Sequence, residues 1–239
     1  MHVEVDSDGE PTVGSAATVV ILRQGSRGVE VLLGERTHRG SFAGAWVFPG
    51  GAVDEADAAG DPIDSAAAAR RAAVRETFEE VGLELVADDL VEFALWSPPK
   101  GVPKRMRTRF FAARAPASAS EIRLAADELV QAEWLTPTDA LEHHADGAMT
   151  LFPPTWVTLH ELRDTPDVDT AIAMLDAHEL RAYVGRFDDD RTTLYWQEDE
   201  HFHTDDRAHR AVPDDGPDAD GPRHRLMMDR LPWVYLHSF

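Results

Sequence analysis

Three glutamates within one short stretch could together bind a divalent cation. Glu76, Glu79 and Glu80 follow Arg75 in the stretch RETFEEVGL. On an α-helix of about 3.6 residues per turn, their side chains fall within about 100° of one another and share one face. Carboxylate oxygens are the ligands that Mg²⁺ prefers, and a cation would remove the repulsion between these like charges. The pattern predicts a metal site, and the alternative is a solvated acidic helix face.

A helix over residues 65–81 would position this acidic face. Capping residues precede its first turn, and its alanine run has high helix propensity. Gly82 stands where a left-handed C-cap residue belongs. Val74, Phe78 and Val81 fall on the side opposite the glutamates, so we expect them to pack into the core.

The residues on both sides of these glutamates resemble the Nudix box, Gly-x5-Glu-x7-Arg-Glu-(apolar)-x-Glu-Glu-x-Gly-(apolar), of Nudix hydrolases. The second half matches from Arg75 to Leu83, with Thr77 in place of the usual aliphatic residue. The first half is interrupted: counted from Gly51, Asp57 stands where the box has glutamate, and the Arg-Glu pair follows ten residues late. We interpret the intervening stretch as an inserted loop, whose path decides whether the aspartate can replace the missing glutamate.

The resemblance implies roles for the residues that match the box. Glu76, Glu79 and Glu80 would bind Mg²⁺, or Mn²⁺ in its place, and Arg75 would orient their carboxylates. In the family the general base is either a box glutamate or a glutamate from a later loop. The candidate catalytic residues are therefore Glu79, Glu80 and Arg75 from the box and Glu128 from the later loop, for which an exposed structural carboxylate is the alternative.

A second group of residues could bind the phosphates of a substrate. Gly50 and Gly51 allow a tight bend at which the backbone can approach a phosphate. Arg36 precedes this bend, and the basic stretch KGVPKRMRTR occupies residues 100–109 in a chain of net charge −21. Arginine suits bidentate phosphate contacts, whereas a solvated strand end is the alternative for the whole cluster. The candidates for phosphate binding are Arg36, Gly50, Gly51, Lys104, Arg105 and Arg109.

The residues that precede the box narrow the resemblance. Residues 32–37 and 44–51 look like a loosened form of the motif of coenzyme A diphosphatases, most like the branch typified by the peroxisomal enzyme. The resemblance implies coenzyme A or an acyl-CoA as the preferred substrate. It leaves open ADP-ribose, NADH, dinucleoside polyphosphates and oxidised nucleoside triphosphates, and also a Nudix domain that senses a nucleotide without hydrolysing it.

Apolar patterns predict the elements around the site. Residues 16–22 are almost continuously apolar, which predicts a central strand buried on both faces, and residues 29–36 predict its hairpin partner. Further strands are predicted over 83–86, 90–96, 107–114 and 130–135, and a helix over 137–144. This order fits the α+β class, an α/β/α sandwich in which Nudix enzymes hold a mixed β-sheet between helices.

The resemblance divides the chain in two. Residues 1–145 form the predicted hydrolase core, and residues 146–239 form a C-terminal helical elaboration with closing strands packed on that core. In the elaboration we expect helices over 153–162 and 169–186, a strand over 191–196, a flexible acidic loop over 197–222 and a hairpin within 225–236.

Composition restricts the expected partners. The net charge of −21 disfavours nucleic acid and anionic membranes, because their phosphates would be repelled. The chain has no cysteine, its first residues are acidic, and no run of about 18 apolar residues occurs. These features predict a soluble cytoplasmic protein that binds a small nucleotide diphosphate substrate, and the family adds a homodimer as an expectation.

Overall fold

The computed structural model describes residues 13–38, 43–100, 102, 105–119, 121–125, 127–177, 179–203 and 221–238. In this part of the chain, strands β1 to β11 are Gly14–Gly25, Gly28–Arg36, Trp46–Val47, Gly50–Ala52, Val91–Ser97, Met106–Arg114, Leu129–Leu135, Arg181–Phe187, Thr193–Trp196, His224–Met227 and Val234–His237. Helices α1 to α5 are Glu55–Ala58, Ala66–Val81, Pro137–Ala145, Pro153–Leu162 and Val168–Asp176. The predicted α+β class, a mixed sheet with helices, is confirmed.

Strand β1 lies at the centre of the sheet. It pairs in parallel with β6 over most of its length, and antiparallel with β4 near its start and with β2 at its end. Its side chains alternate between two cores: Val20 and Leu22 face one, and Val19 and Ile21 face the other. All four are buried, because helices cover both faces of the sheet.

The sheet continues into the C-terminal part of the chain. Its strand order is β11-β10-β9-β8-β5-β6-β1-β2-β3, with β4 paired to β1 and β7 paired to β2. Strand β8 joins the two parts because it runs parallel to β5, with Ala94 opposite Arg181 and Ser97 opposite Val184. Helices α4 and α5 contribute to the same hydrophobic core as β1 and β5.

Two predictions of secondary structure are wrong. The helix predicted over 169–186 ends at Asp176, and Arg181–Phe187 is strand β8, where the buried Tyr183 stacks on Trp96 at a ring distance of 3.8 Å. Pairing with β5 and this stack prevail over the local helical pattern. Residues 83–86 form no strand, because Leu83 follows the helix cap directly and packs under α2.

The predicted flexible loop over 197–222 lies mostly outside the described residues. Its described ends are anchored, because Asp199 accepts hydrogen bonds from Arg225 Nε at 2.8 Å and from Arg225 Nη2 at 2.9 Å. Both side chains are buried, so this pair fixes the residues on either side of the loop. No helix in the described residues has the length and apolar character needed to cross a membrane.

Helix α2 confirms the predicted helix and corrects its orientation. Ser65 Oγ accepts from Ala68 N at 3.1 Å, and Gly82 adopts the left-handed conformation at φ 70°. The expectation that Phe78 faces the core is wrong, because this side chain is 52% exposed. The buried face of the helix consists of Ala68, Ala69, Ala72, Ala73, Thr77, Glu80 and Val81. Small alanine side chains let the helix lie close to the sheet, and of the three glutamates Glu80 belongs to this buried face.

Candidate metal centre

Three carboxylates converge between α2 and the loop before β7. Glu76 and Glu80 come from successive turns of α2, and Glu128 comes from the residue before β7. One oxygen of each lies within 4.8 Å of those of the other two. The structure therefore brings together two of the three predicted metal ligands and the predicted later-loop glutamate.

The bend at the start of β4 holds two of these carboxylates in place. Gly50 N donates to Glu80 Oε2 at 2.8 Å. Gly50 has φ 153°, and a Cβ there would come within 2.2 Å of the Ala17 carbonyl oxygen. A Cβ on Gly51 would lie 2.6 Å from both carboxylate oxygens of Glu76. Gly50 thus requires glycine, because a Cβ there would meet the backbone of β1. At Gly51 a Cβ would meet only the end of the Glu76 side chain and would displace its carboxylate.

Glu80 is the most constrained member of the cluster. Its side chain is 1% exposed, and its Oε1 has no hydrogen-bond partner among the described residues. Arg36 Nη1 lies 3.9 Å from that oxygen. Burial raises the pKa of Glu80 to about 8, and burial also raises the pKa of Glu76. A buried oxygen without a partner beside two further carboxylates fits a hard divalent cation, which binds oxygen ligands.

Arg75 organises the carboxylates around it. Its Nη1 donates to Glu76 Oε1 and to Glu79 Oε2, both at 2.9 Å, and its Nη2 donates to the Ala52 carbonyl at 3.1 Å. The structure does not bring Glu79 into the carboxylate cluster with the other two predicted metal ligands. Glu79 lies outside the buried face of α2 and is 53% exposed, with Arg75 as its partner.

Asp57 also contacts Arg75, as sequence reasoning did not foresee. Asp57 accepts from Arg75 Nε at 3.1 Å and from Nη2 at 2.8 Å, and it is 6% exposed. The hydrogen bond from Arg75 lowers the pKa of Asp57. The sequence did contain a sign of this contact: counted from Gly51, Asp57 stands where the box has glutamate. The inserted residues follow Asp57, and the structure leaves it beside Arg75.

The predicted phosphate-binding residues separate in the structure. Arg36 reaches the carboxylate cluster, and Arg105 is half-buried just before β6. Arg109 is not near the cluster: it donates to Glu92 and to the Asp64 carbonyl at the start of α2. The rise of the helix puts that end about 15 Å from Glu76. Lys104 lies outside the described residues.

Comparisons with known proteins agree with the fold. A family model described as NUDIX domain matches residues 13–155. The curated protein "Putative nudix hydrolase 7" of Caenorhabditis elegans is 26% identical over 191 residues, which cover 65% of this chain and 62% of that protein. This chain therefore spans less than two thirds of the length of that relative. The crystal structure of a NUDIX hydrolase from Alicyclobacillus acidocaldarius is 25% identical with a TM-score of 0.62, and the match covers 70% of this chain and 99% of that one.

Proposed function

The chain belongs to the NUDIX domain family, and on that premise we propose that it is a divalent-metal-dependent hydrolase. Its proposed reaction is cleavage of the diphosphate in a nucleoside diphosphate that is linked to another moiety. The observation that supports this most strongly is the convergence of Glu76, Glu80 and Glu128 around the buried Oε1 of Glu80 that lacks a hydrogen-bond partner.

Some residues of the site would bind the cation, and others orient the residues that bind it. Glu76 and Glu80 would hold it from α2, and Glu128 would hold or face it from the loop before β7. Arg75 fixes the orientation of Glu76, and the Gly50 N–H fixes that of Glu80. When bound, Mg²⁺ would neutralise charge that develops on the diphosphate and lower the pKa of water.

Glu128 is the best placed general base. It is exposed, so that water can reach it, whereas Glu80 is buried and Glu79 is held by Arg75. As base, Glu128 would take a proton from the water whose oxygen attacks phosphorus, while the bond from that phosphorus to the bridging oxygen breaks. The products are two phosphate monoesters.

Replacing Glu128 separates the roles of base and ligand. We expect Glu128→Gln to lower kcat by about 100-fold or more while leaving the Mg²⁺ concentration for half-maximal rate nearly unchanged. Steady-state kinetics across a range of Mg²⁺ concentrations would measure both quantities. A variant that needs much more Mg²⁺ but then reaches the wild-type kcat would make Glu128 a ligand and leave the base to another residue.

Coenzyme A or an acyl-CoA is the substrate that we prefer. Its support is the resemblance of residues 32–37 and 44–51 to the motif before the box in coenzyme A diphosphatases, together with the position of Arg36 beside the cluster. ADP-ribose, NADH and dinucleoside polyphosphates carry the same diphosphate linked to a nucleoside and are the alternatives.

A panel of these compounds tests the reaction and the substrate together. Purified protein is incubated with each compound in Mg²⁺ or in EDTA, and the products are identified by mass spectrometry. We expect Mg²⁺-dependent release of phosphopantetheine from coenzyme A in preference to the other cleavages. Preferred cleavage of another member would overturn the substrate and keep the chemistry. Binding of a compound without cleavage of any would favour a nucleotide sensor.

A further inference from the structure

Arg71 of α2 binds the polypeptide at the point where the residues inserted into the box begin. It lies one helical turn before Arg75, on the same side of α2. Its Nε donates to the Asp57 carbonyl at 2.5 Å, and its Nη2 donates to the Ala58 carbonyl at 2.6 Å and to Asp61 Oδ2 at 2.7 Å. Arg71 thus binds the backbone of Asp57, whose side chain binds Arg75.

The backbone that Arg71 holds has an uncommon conformation. The chain leaves the short helix α1 through Ala59 at φ 47° and Gly60 at φ 97°. A left-handed alanine is unfavourable unless surrounding contacts fix it. The bonds from Arg71 to the two preceding carbonyl groups supply such contacts, at the point where the inserted residues begin.

Asp57 in turn completes the contacts of Arg75. Two of the hydrogen bonds from Arg75 go to Asp57, and the others go to the Ala52 carbonyl, Glu76 and Glu79. Asp57 also accepts from Asp54 N at 2.9 Å, so both of its oxygens are used. If Asp57 moved, Arg75 would lose a bidentate partner and with it a fixed orientation towards Glu76.

We propose that Arg71 is a positioning residue for the metal centre: it anchors Asp57, which orients Arg75, which orients Glu76. Asp57 and Arg75, which the insertion separates in the sequence of the box, are thereby held in contact in the fold. This inference rests on the proposed function only in requiring that the carboxylate cluster bind a divalent cation. A residue that merely anchors a surface loop would affect stability without affecting the affinity for the cation.

The test compares two neighbouring arginines of α2. Arg71→Met removes the guanidinium, and Arg70→Met is the matched control, because Arg70 donates to the Ala87 and Leu90 carbonyl groups, away from Asp57. Electron paramagnetic resonance titration of Mn²⁺ measures the Kd of each protein without reference to activity. We expect Arg71→Met to raise the Kd by about tenfold and Arg70→Met to leave it unchanged. Equal values for Arg71→Met and the wild type would overturn the inference.

A double-mutant comparison shows whether the effect passes through Asp57. In an Asp57→Asn background, we expect Arg71→Met to change the Kd for Mn²⁺ by less than about twofold. An undiminished effect there would contradict the proposed relay. Should Arg71→Met fail to fold, Arg71→Lys retains a charge but not the fork of donors, and an unchanged Kd would likewise overturn the inference. Wild-type protein that binds Mn²⁺ but hydrolyses nothing would overturn the proposed function alone.

Discussion

Burial of the ionised Glu80 carboxylate lowers the stability of the folded protein when no cation is bound. It is 1% exposed, and its Oε1 has no hydrogen-bond partner among the described residues. An ionised carboxylate in such a place is unfavourable unless a charge compensates it, and Arg36 at 3.9 Å is a distant partner. A side chain that lowers the stability of the fold in this way is typical of a functional site.

The raised pKa of Glu80 predicts how stability depends on pH. Folding raises this pKa from 4.5 to about 8, so between these values the folded protein binds a proton that the unfolded chain has lost. The contribution of Glu80 to the free energy of unfolding therefore falls as pH rises through this range. Glu80→Gln removes this dependence, because glutamine does not ionise.

Melting temperatures in EDTA test this prediction. We expect the Tm of Glu80→Gln minus that of the wild type to increase from about pH 5 to about pH 8. Added Mg²⁺ should raise the Tm of the wild type much more than that of the variant. A difference in Tm that stays constant with pH would mean that Glu80 does not titrate in this range.

At the scale of single residues, the sequence predicted which charged residues belong to the site better than it predicted which of them contact one another. Spacing alone predicted that Glu76, Glu79 and Glu80 lie together, and the resemblance added Glu128. The structure brings together Glu76, Glu80 and Glu128 and leaves Glu79 outside the cluster. The role of Asp57 as the partner of Arg75 was missed, because a sequence does not show the path of an inserted loop. Its box spacing from Gly51 was the available signal.

At the scale of elements, β4 and α2 form the site by close approach. Gly51 lies directly against the Glu76 carboxylate, where a Cβ would come within 2.6 Å of the two oxygens. Carboxylate oxygens at the end of a flexible side chain can move aside, while the backbone of β4 stays paired with β1. Adding a methyl group at this position would therefore displace the Glu76 carboxylate and leave the strand in place.

Gly51→Ala should weaken cation binding with little loss of stability. We expect the Kd for Mn²⁺ to rise by about tenfold, as for other small displacements of ligands, and the Tm to fall by only a few degrees. Ala52→Ser is the control, because it changes an exposed position on the same strand. If Gly51→Ala binds Mn²⁺ as tightly as the control does, the carboxylate of Glu76 is not a ligand.

The orientation of α2 shows why a helical pattern could not settle which face is buried. Periodicity gave the relative angles correctly, but it assigned Phe78 to the core, and this side chain is 52% exposed. Hydrophobicity favoured the face with the larger side chains. The helix instead packs through its alanines, of which Ala72 and Ala73 are completely buried, because small side chains allow closer contact with the sheet.

At the scale of the whole molecule, one aromatic cluster links the family domain to the C-terminal strands. Trp96 of β5 stacks on Tyr183 of β8 at 3.8 Å, and Trp196 of β9 packs edge-on against both. The family match ends at residue 155, so β8 and β9 lie beyond it. Shared burial of these rings predicts that the two parts unfold together.

Tyr183→Ala tests this cooperation. Removing a buried aromatic side chain should lower the free energy of unfolding by about 3–5 kcal/mol. Val184→Ala is the matched control, because its side chain is 43% exposed on the same strand, and we expect a change within about 0.5 kcal/mol. For the wild type and both variants, urea denaturation is followed by circular dichroism and by tryptophan fluorescence. We expect the two signals of each protein to change in one coincident transition. Two separate transitions would show that the C-terminal strands unfold independently.

The sequence predicted the architecture of the family domain better than that of the remainder. Residues 16–22 are apolar enough to mark the central strand, and the resemblance supplied the order of the elements around it. No such guide covered residues 169–186, where an amphipathic pattern suggested one helix. A parallel pairing with β5 makes the second half of this segment a strand, and such a long-range partner is not visible in a local pattern.

The most direct test of the account is the rate of Glu80→Gln on the compound of the panel that the wild type cleaves. At saturating Mg²⁺, we predict that kcat falls by orders of magnitude while circular dichroism shows an unchanged fold, because Glu80 is the most buried of the three carboxylates proposed to hold the cation. We also predict that EDTA abolishes the wild-type rate. A variant that turns over as fast as the wild type, or a wild-type rate that persists in EDTA, would contradict the account.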